Sequence, residues 1–317
     1  MNQPSDVVQY CETVPAEKAG QRLDVVAAEL FGDFSRGRLQ EWIKQGQLLV
    51  DGEQRRPKDK VAGGEQLELQ AELEPEGDWQ AQSIPLDVIH EDSELLIINK
   101  PAGLVVHPAA GNPDGTLLNA LLHHAPELRN LPRAGIVHRI DKDTTGLLVV
   151  ARTLKAQNSL VQQLQARTMG REYEAVVQGA MIGGGSVDQP IGRHPTQRIK
   201  MAVVRDGKPA LTHYRIATRF NDYTHIRVQL ETGRTHQIRV HMAHIGYPLV
   251  GDPVYGGRLR LPSGISDGLA GTLRRFGRQA LHAAKLELTH PDSGEVMTWH
   301  APLPQDMVEL LQQLQAE

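Results

Sequence analysis

The chain has 317 residues, 34 Lys and Arg against 38 Asp and Glu, a formal net charge of −4 and a single cysteine, Cys11. Such a length points to two domains; the lone cysteine excludes an intramolecular disulfide, and no apolar run reaches the roughly 18 residues that a membrane-spanning helix needs. Met1 to Asp6 carry no basic region followed by an apolar stretch, so no secretory signal and a cytoplasmic location are expected.

Residues 1–18 read as a flexible terminus, and residues 19–75 as a compact module. Leu23, Val25, Val26, Ala28 and Leu30 fall at helical spacing. Ser35 is a suitable N-cap for a second helix, Arg36 to Gln45, with Leu39, Trp42 and Ile43 on one face. Gly46 ends it, Leu48 to Val50 read as a strand, Asp51-Gly52 as a hairpin turn, and Leu67 to Leu69 as part of the returning strand. The pattern Arg22-Leu23-Asp24, then Ser35-Arg36, Leu39-Gln40 and Ile43, then Val50-Asp51-Gly52 with Val61, resembles the S4 RNA-binding domain. That resemblance implies that the second helix and the loop after it face RNA, through Arg36, Arg38, Lys44, Arg55 and Arg56. Residues 76–84 lie in a polar, acidic stretch with Pro75 and Gly77 at its start, and read as a linker.

Residues 85–317 form the second domain. Leu86 to Ile89 and Leu95 to Asn99 read as strands and Leu117 to His124 as a helix, with His123 and His124 as helix-end residues. Next comes His138-Arg139-Ile140-Asp141, a turn-forming Asp143-Thr144-Thr145-Gly146, and a continuous apolar run, Leu147 to Ala151, that reads as a buried strand. Asp141 thus sits on a loop held by a rigid strand, a position that suits catalytic groups, although an Asp beside a turn is ordinarily a turn former. Lys155 to Gln165 is an amphipathic helix and Arg171 to Val177 a strand carrying Tyr173, which taken alone is a packing residue. A meander follows from Gly207, its strands continuing at His225 to Leu230, and a short amphipathic helix, Asp306 to Gln315, closes the chain. Strands at short spacing with few intervening helices point to an α+β fold with a mixed, mainly antiparallel sheet.

The net acidity is unevenly spread. From Arg193 to Arg239, ten Lys and Arg (Arg198 among them) face three acids, and residues 35–60 are also basic, whereas Glu65 to Glu94 contains no Lys or Arg. Two basic stretches can neutralise phosphates locally on a globally acidic protein.

His138-Arg139-Ile140-Asp141 with Thr144-Thr145-Gly146 resembles the signature of the RluA-type pseudouridine synthases, with Ile140 where Leu is usual. Lys100-Pro101-Ala102-Gly103, Arg171-Glu172-Tyr173-Glu174-Ala175, Gly233-Arg234-Thr235-His236-Gln237-Ile238-Arg239, Gly251-Asp252-Pro253 and Leu281-His282-Ala283 recur in that family in the same order. The resemblance implies the pseudouridine synthase fold and the cofactor-free isomerisation of uridine to pseudouridine in RNA. It implies Asp141 as nucleophile, attacking either the uracil ring or ribose C1′, Arg239 as its ion-pair partner and Tyr173 against the target base. Arg139 would fill the space the flipped base leaves, with His138 supporting the loop; Arg234 joins the RNA-binding set, and Ile238 and Leu147 are candidates for the apolar wall. The longer wording of these motifs resembles that of members acting on large-subunit ribosomal RNA at the helix 69 hairpin. The expected partners are therefore that RNA or a pre-50S particle, bound by a monomer. Other ribosomal or transfer-RNA uridines, or a non-catalytic ribosome-assembly role on the same fold, remain open here. No cofactor or metal is expected: His236, His241 and His244 match no zinc spacing, and no nucleotide loop or nucleophile elbow is present.

Overall fold

The computed structural model describes residues 7–31, 34, 36–72, 79–109, 111–197, 200–259 and 261–317. The N-terminal module consists of β1 (Val7–Thr13), α1 (Leu23–Leu30), α2 (Arg36–Gln45), β2 (Leu48–Val50) and β3 (Gln66–Glu72). Its sheet runs β1-β3-β2, all antiparallel. Leu67, Leu69 and Ala71 alternate inward on β3 and meet Leu23, Val26, Leu39, Trp42 and Ile43 of the two helices. The N-cap expected at Ser35 lies outside the described residues, as does Arg198.

The expectation of a loose terminus over residues 1–18 fails for the described part. Val7 pairs with Glu72 and the register continues to Thr13 opposite Gln66. The strand eluded the sequence because its residues are half polar, as an edge strand's outer face allows. Its anchor is aromatic: the Tyr10 ring meets Phe31 and Phe34 edge-on, at 6.1 and 5.5 Å between centroids. The linker expected at 76–84 is corrected in the same way. Residues 73–78 lie outside the described set, but residues 79–84 are tied to the second domain: Gln82 N–H donates to the Asn119 carbonyl at 2.9 Å, and Asn119 Nδ2 donates to the Gln80 carbonyl at 2.8 Å.

The second domain contains β4 (Val88–Glu91), β5 (Leu95–Lys100), α3 (Leu117–His124), β6 (Thr145–Ala151), α4 (Leu154–Ala166) and β7 (Gly170–Gln178). Then come β8 (Gly185–Asp188), β9 (Ile191–Arg193), β10 (Met201–Val203), β11 (Leu211–Arg219), β12 (Tyr223–Leu230) and α5 (Gln237–His244). It ends with α6 (Asp267–Arg275), β13 (Leu281–Thr289), β14 (Val296–His300) and α7 (Gln305–Gln315). Nine of these strands make one sheet in the order β4-β5-β6-β13-β7-β12-β11-β8, with β14 on β13, while β9 and β10 pair separately.

Every pairing in the large sheet is antiparallel except β6 with β13, which run parallel through His282 opposite Thr145 and Ala283 opposite Gly146. At that junction Gly146 has φ +108°, and a Cβ there would lie 2.2 Å from the Ala283 carbonyl oxygen, so only glycine lets the two backbones approach. Both faces of β6 are buried, which explains its unbroken apolar run. Leu148 and Val150 face one core with Leu117 and Leu121 of α3, and Leu147 and Val149 face a second core with Leu160 of α4.

Candidate active site

The loop entering β6 is braced from three sides. His138 turns its ring into the protein, where Nε2 accepts the Val149 N–H at 3.1 Å. Burial, with Arg171 nearby, pushes its pKa down to about 3, so the imidazole is neutral. His138, placed with the RNA-binding residues on sequence grounds, thus braces the interior of β6; a neutral ring offers no cation to phosphate. From below, Lys100 is fully buried and its ammonium donates to the carbonyls of Pro101, Leu104 and Lys142 at 2.7, 2.9 and 2.8 Å. Burial pushes its pKa down to about 7, opposed by Asp143 and Asp141. From the far end, Arg278 donates to the Asp143 carbonyl at 3.1 Å while its fork holds Asp306 of α7.

Asp141 projects from this loop into a small pocket, partly open to solvent, with Arg139, Arg171, Tyr173, Arg234, His236 and Arg239 among its lining. Arg239 Nη1 donates to Asp141 Oδ2 at 2.9 Å. The rest of the same guanidinium grips Asp252, Nε to Oδ2 at 2.7 Å and Nη2 to Oδ1 at 2.9 Å. Asp252 is buried, and its Oδ1 also accepts the N–H groups of Val254 and Tyr255. Burial favours the neutral acid there, but the Arg239 bonds and charge outweigh it and hold the carboxyl below its ordinary value. One arginine thus spans two carboxylates, and its own pKa is raised by them against the effect of burial. Its guanidinium also lies 5.0 Å from the Tyr255 ring centre.

Arg239 is aimed by α5, whose approach loop is tied by Gln237. That side chain donates to the Leu211 carbonyl and Thr212 hydroxyl and accepts from the Thr232 hydroxyl and Arg234 N–H. Tyr173, only 6 % exposed, rises from β7 between Val228 of β12 and Ala283 of β13. Burial raises its phenol pKa.

The structure therefore brings Asp141, Tyr173, Arg239, Arg139 and Arg234 to one pocket. Arg234 Nε also donates to the Pro209 carbonyl at 3.0 Å. Ile238 lines the wall as expected, but Leu147 does not: it packs on the opposite side with Leu160, and Leu230 and Leu281 take that place. The N-terminal cations lie elsewhere, and most have intramolecular work. Arg36 and Arg22 both bind Asp24, Arg55 binds Glu65 and Arg56 binds Asp59. Arg38 lies 5.6 Å from the Trp42 ring centre, and Lys44 is exposed. Asp252, His236 and Tyr255 escaped assignment. The signal was an acid within the apolar Leu249-Val250-Gly251 run, which demands a buried cation nearby. Among the described residues no cluster of three His, Cys, Asp or Glu side chains is placed to hold a metal. His241 is instead bonded to the Thr212 hydroxyl and the Gln189 carbonyl. No described helix is long and apolar enough to cross a membrane.

Residues 94–244 match the RNA pseudouridylate synthase family and residues 21–67 the S4 domain. The ribosomal large subunit pseudouridine synthase D of Pseudomonas aeruginosa is 61 % identical over 313 residues, covering 99 % of this chain and 98 % of its own. This chain belongs to the RNA pseudouridylate synthase family. The protein of the same name from Escherichia coli K12 is 60 % identical over 98 % of this chain and 95 % of its own. Among solved structures, human RNA pseudouridylate synthase domain containing 4 aligns with TM-score 0.56 and 27 % identity over 72 % of this chain and 92 % of its own. Human RNA pseudouridylate synthase domain containing 1 aligns with TM-score 0.55 over 76 % and 98 %, and at 23 % identity supports the fold alone. The α+β synthase fold with an S4 module stands on these matches together with the mainly antiparallel sheet.

Proposed function

We propose that this synthase converts uridines of large-subunit ribosomal RNA, in the helix 69 hairpin, to pseudouridine, with Asp141 as nucleophile and without a cofactor. The observation that carries the reading is the Asp141 carboxylate held at 2.9 Å by an arginine that is itself anchored on buried Asp252. A nucleophile needs a fixed direction and a site away from bulk water, and this clamp supplies the first. The names of the relatives, identical at about three residues in five, supply the substrate class.

The reaction detaches uracil from ribose, turns it and rejoins it through C5. The target base leaves its stack to enter the pocket, and Arg139, exposed beside Asp141, props the vacated space. Tyr173 stacks on the base and helps remove the C5 proton. Arg234 and the S4 module, including Arg38 and Lys44, meet backbone phosphates and set the register of the hairpin. The enzyme acts as a monomer on the free RNA or on a pre-50S particle, in the cytoplasm.

Pseudouridine mapping on large-subunit RNA and on immature particles, treated with wild-type or Asp141→Asn protein, tests this. Wild-type signal confined to helix 69, with none from the variant despite intact RNA binding, is expected. Turnover by the variant refutes the nucleophile; Asp141-dependent signal at other uridines refutes the target. Intact binding with no product from either protein favours an assembly role.

A further inference from the structure

His236 is the residue before α5 and has a left-handed backbone, φ 57° and ψ 24°. A non-glycine residue is uncommon there, and such strain persists where the surroundings over-determine it. Here the surroundings are the Gln237 ties on one side and Tyr255 on the other. His236 Nδ1 lies 2.8 Å from the Tyr255 hydroxyl oxygen, with the rings edge to face at 75°.

That contact selects a tautomer. The Tyr255 hydroxyl oxygen accepts the Met201 N–H at 2.9 Å. Among the described residues His236 Nδ1 is the remaining partner of that hydroxyl, and the phenol O–H is assigned as the donor to Nδ1. The ring proton then resides on Nε2, at the face turned toward the pocket. Nε2 stands 3.9 Å from Asp141 Oδ1, beyond hydrogen-bond distance. The oxygen it approaches is the one that Arg239 leaves untouched. Three of the five N–H groups of Arg239, one each on Nε, Nη1 and Nη2, are committed to the two carboxylates. His236 therefore presents a neutral N–H, held in direction by its backbone and by Tyr255, beside the free oxygen of the proposed nucleophile.

We propose that His236 is a substrate-contacting catalytic residue whose Nε2–H donates a hydrogen bond to a carbonyl oxygen of the target uracil as the ring becomes anionic. The inference rests on the reading of Asp141 as nucleophile, and it holds for either point of attack. At C1′, a bond forms to the Asp141 oxygen, the C1′–N1 bond breaks, and its electron pair passes to the uracil, shared between N1 and the O2 carbonyl. At C6, the new bond displaces the C5=C6 pair toward the O4 carbonyl. Both leave negative charge on a carbonyl oxygen near Asp141, where a preorganised N–H lowers the barrier with no proton transferred. A neutral donor also suits the site better than a second cation, which would compete with Arg239 for Asp141. Burial lowers the imidazole pKa, Arg239 and Arg139 add to that, and Asp141 and Asp252 oppose it.

The test compares His236→Ala, His236→Gln and Asp141→Asn with wild type on one RNA hairpin substrate. Single-turnover rate, RNA affinity and pH profile are read, with circular dichroism to establish folding. Loss of one preorganised donor predicts a rate about 100-fold lower for His236→Ala, with RNA affinity nearly unchanged. His236→Gln keeps an N–H at similar reach and is expected to recover at least about tenfold over Ala, with the wild-type pH profile between about pH 5 and 8. A wild-type rate for a folded Ala variant overturns the proposal, as does a loss confined to RNA affinity. A Gln variant as slow as Ala, or an acid limb in wild type that Gln lacks, makes the imidazole a base or a strut and also overturns it. Product from Asp141→Asn would instead defeat the nucleophile reading itself, whatever the His236 variants do.

Discussion

The Asp252→Asn substitution isolates the clamp from the chemistry, because Asp252 touches Arg239 and not the open pocket. The amide keeps the volume of the carboxylate, and its oxygen can still accept the N–H groups of Val254 and Tyr255. It removes the charge and sets an N–H₂ group against Arg239 Nε, a donor facing a donor. Breaking a buried ion pair from one side costs about 3–5 kcal/mol. The retained backbone bonds and the second anion, Asp141, reduce this to roughly 2–3 kcal/mol. For a domain of this size each kcal/mol lowers Tm by about 2–4 °C, so a fall of roughly 5–10 °C is expected by differential scanning calorimetry. Arg239 would then keep its Nη2 bond to residue 252 and its bond to Asp141 but lose the fork through Nε, and the single-turnover rate should drop by about tenfold or more while hairpin affinity holds, since misaimed groups cost rate rather than binding. An unchanged rate together with a Tm within about 1 °C of wild type would show that Asp252 neither anchors Arg239 nor bears on Asp141.

Two further outcomes follow from the same geometry. Arg239→Lys retains the charge but not the fork, and one ammonium cannot span Asp141 and both oxygens of Asp252; a single-turnover loss of about 100-fold is expected, and a rate within about threefold of wild type would refute the pairing. In the S4 module, Asp24 is buried and bound by Arg22, Arg36 and Gln40. Burial would raise its pKa, but these partners bring it down from 3.8 to about 2. A depressed carboxyl stabilises the fold above its unfolded value and loses that contribution as pH falls through the folded one, here between about pH 4 and 2. The shift corresponds to roughly 2.5 kcal/mol, discounted to about 1–2 because both arginines are half exposed. Urea unfolding of the full chain, followed by circular dichroism at a series of pH values, should show a steeper loss of stability over this range in wild type than in Asp24→Asn; identical slopes would refute it.

Periodicity and punctuation in the sequence located α2, α3, β2 and β6, because each has a one-sided or fully apolar face with clear stops at its ends. They failed where packing outvotes pattern. β1 is half polar, and only the paired backbone of β3 and the cluster of Tyr10, Phe31 and Phe34 make it a strand. α5 is the opposite case: Ile238 and Val240 alternate with Arg239 and His241, a strand-like period, yet the segment is helical and buried all round. Its polar residues find partners on separate elements, Arg239 on Asp141 and Asp252, His241 on Thr212 and Gln189.

The same distinction divides the site. Asp141, Tyr173 and Arg239 could be singled out in the sequence because each sits inside a motif with a resemblance to carry it, and the structure places all three at one pocket. Asp252 and Tyr255 could not, since their significance lies in what faces them across the fold. The motif around Arg239 names one arginine and implies one partner; the structure shows the arginine divided between two carboxylates, one exposed to the pocket and one sealed from it. That asymmetry has a physical use. In the proposed reaction, a guanidinium held only by Asp141 would follow it as the carboxylate moves into its covalent adduct and loses charge. Anchored on Asp252, which keeps its charge throughout, Arg239 stays in place to receive the carboxylate when it is released. Asp252→Asn should therefore slow release of the adduct as well as its formation.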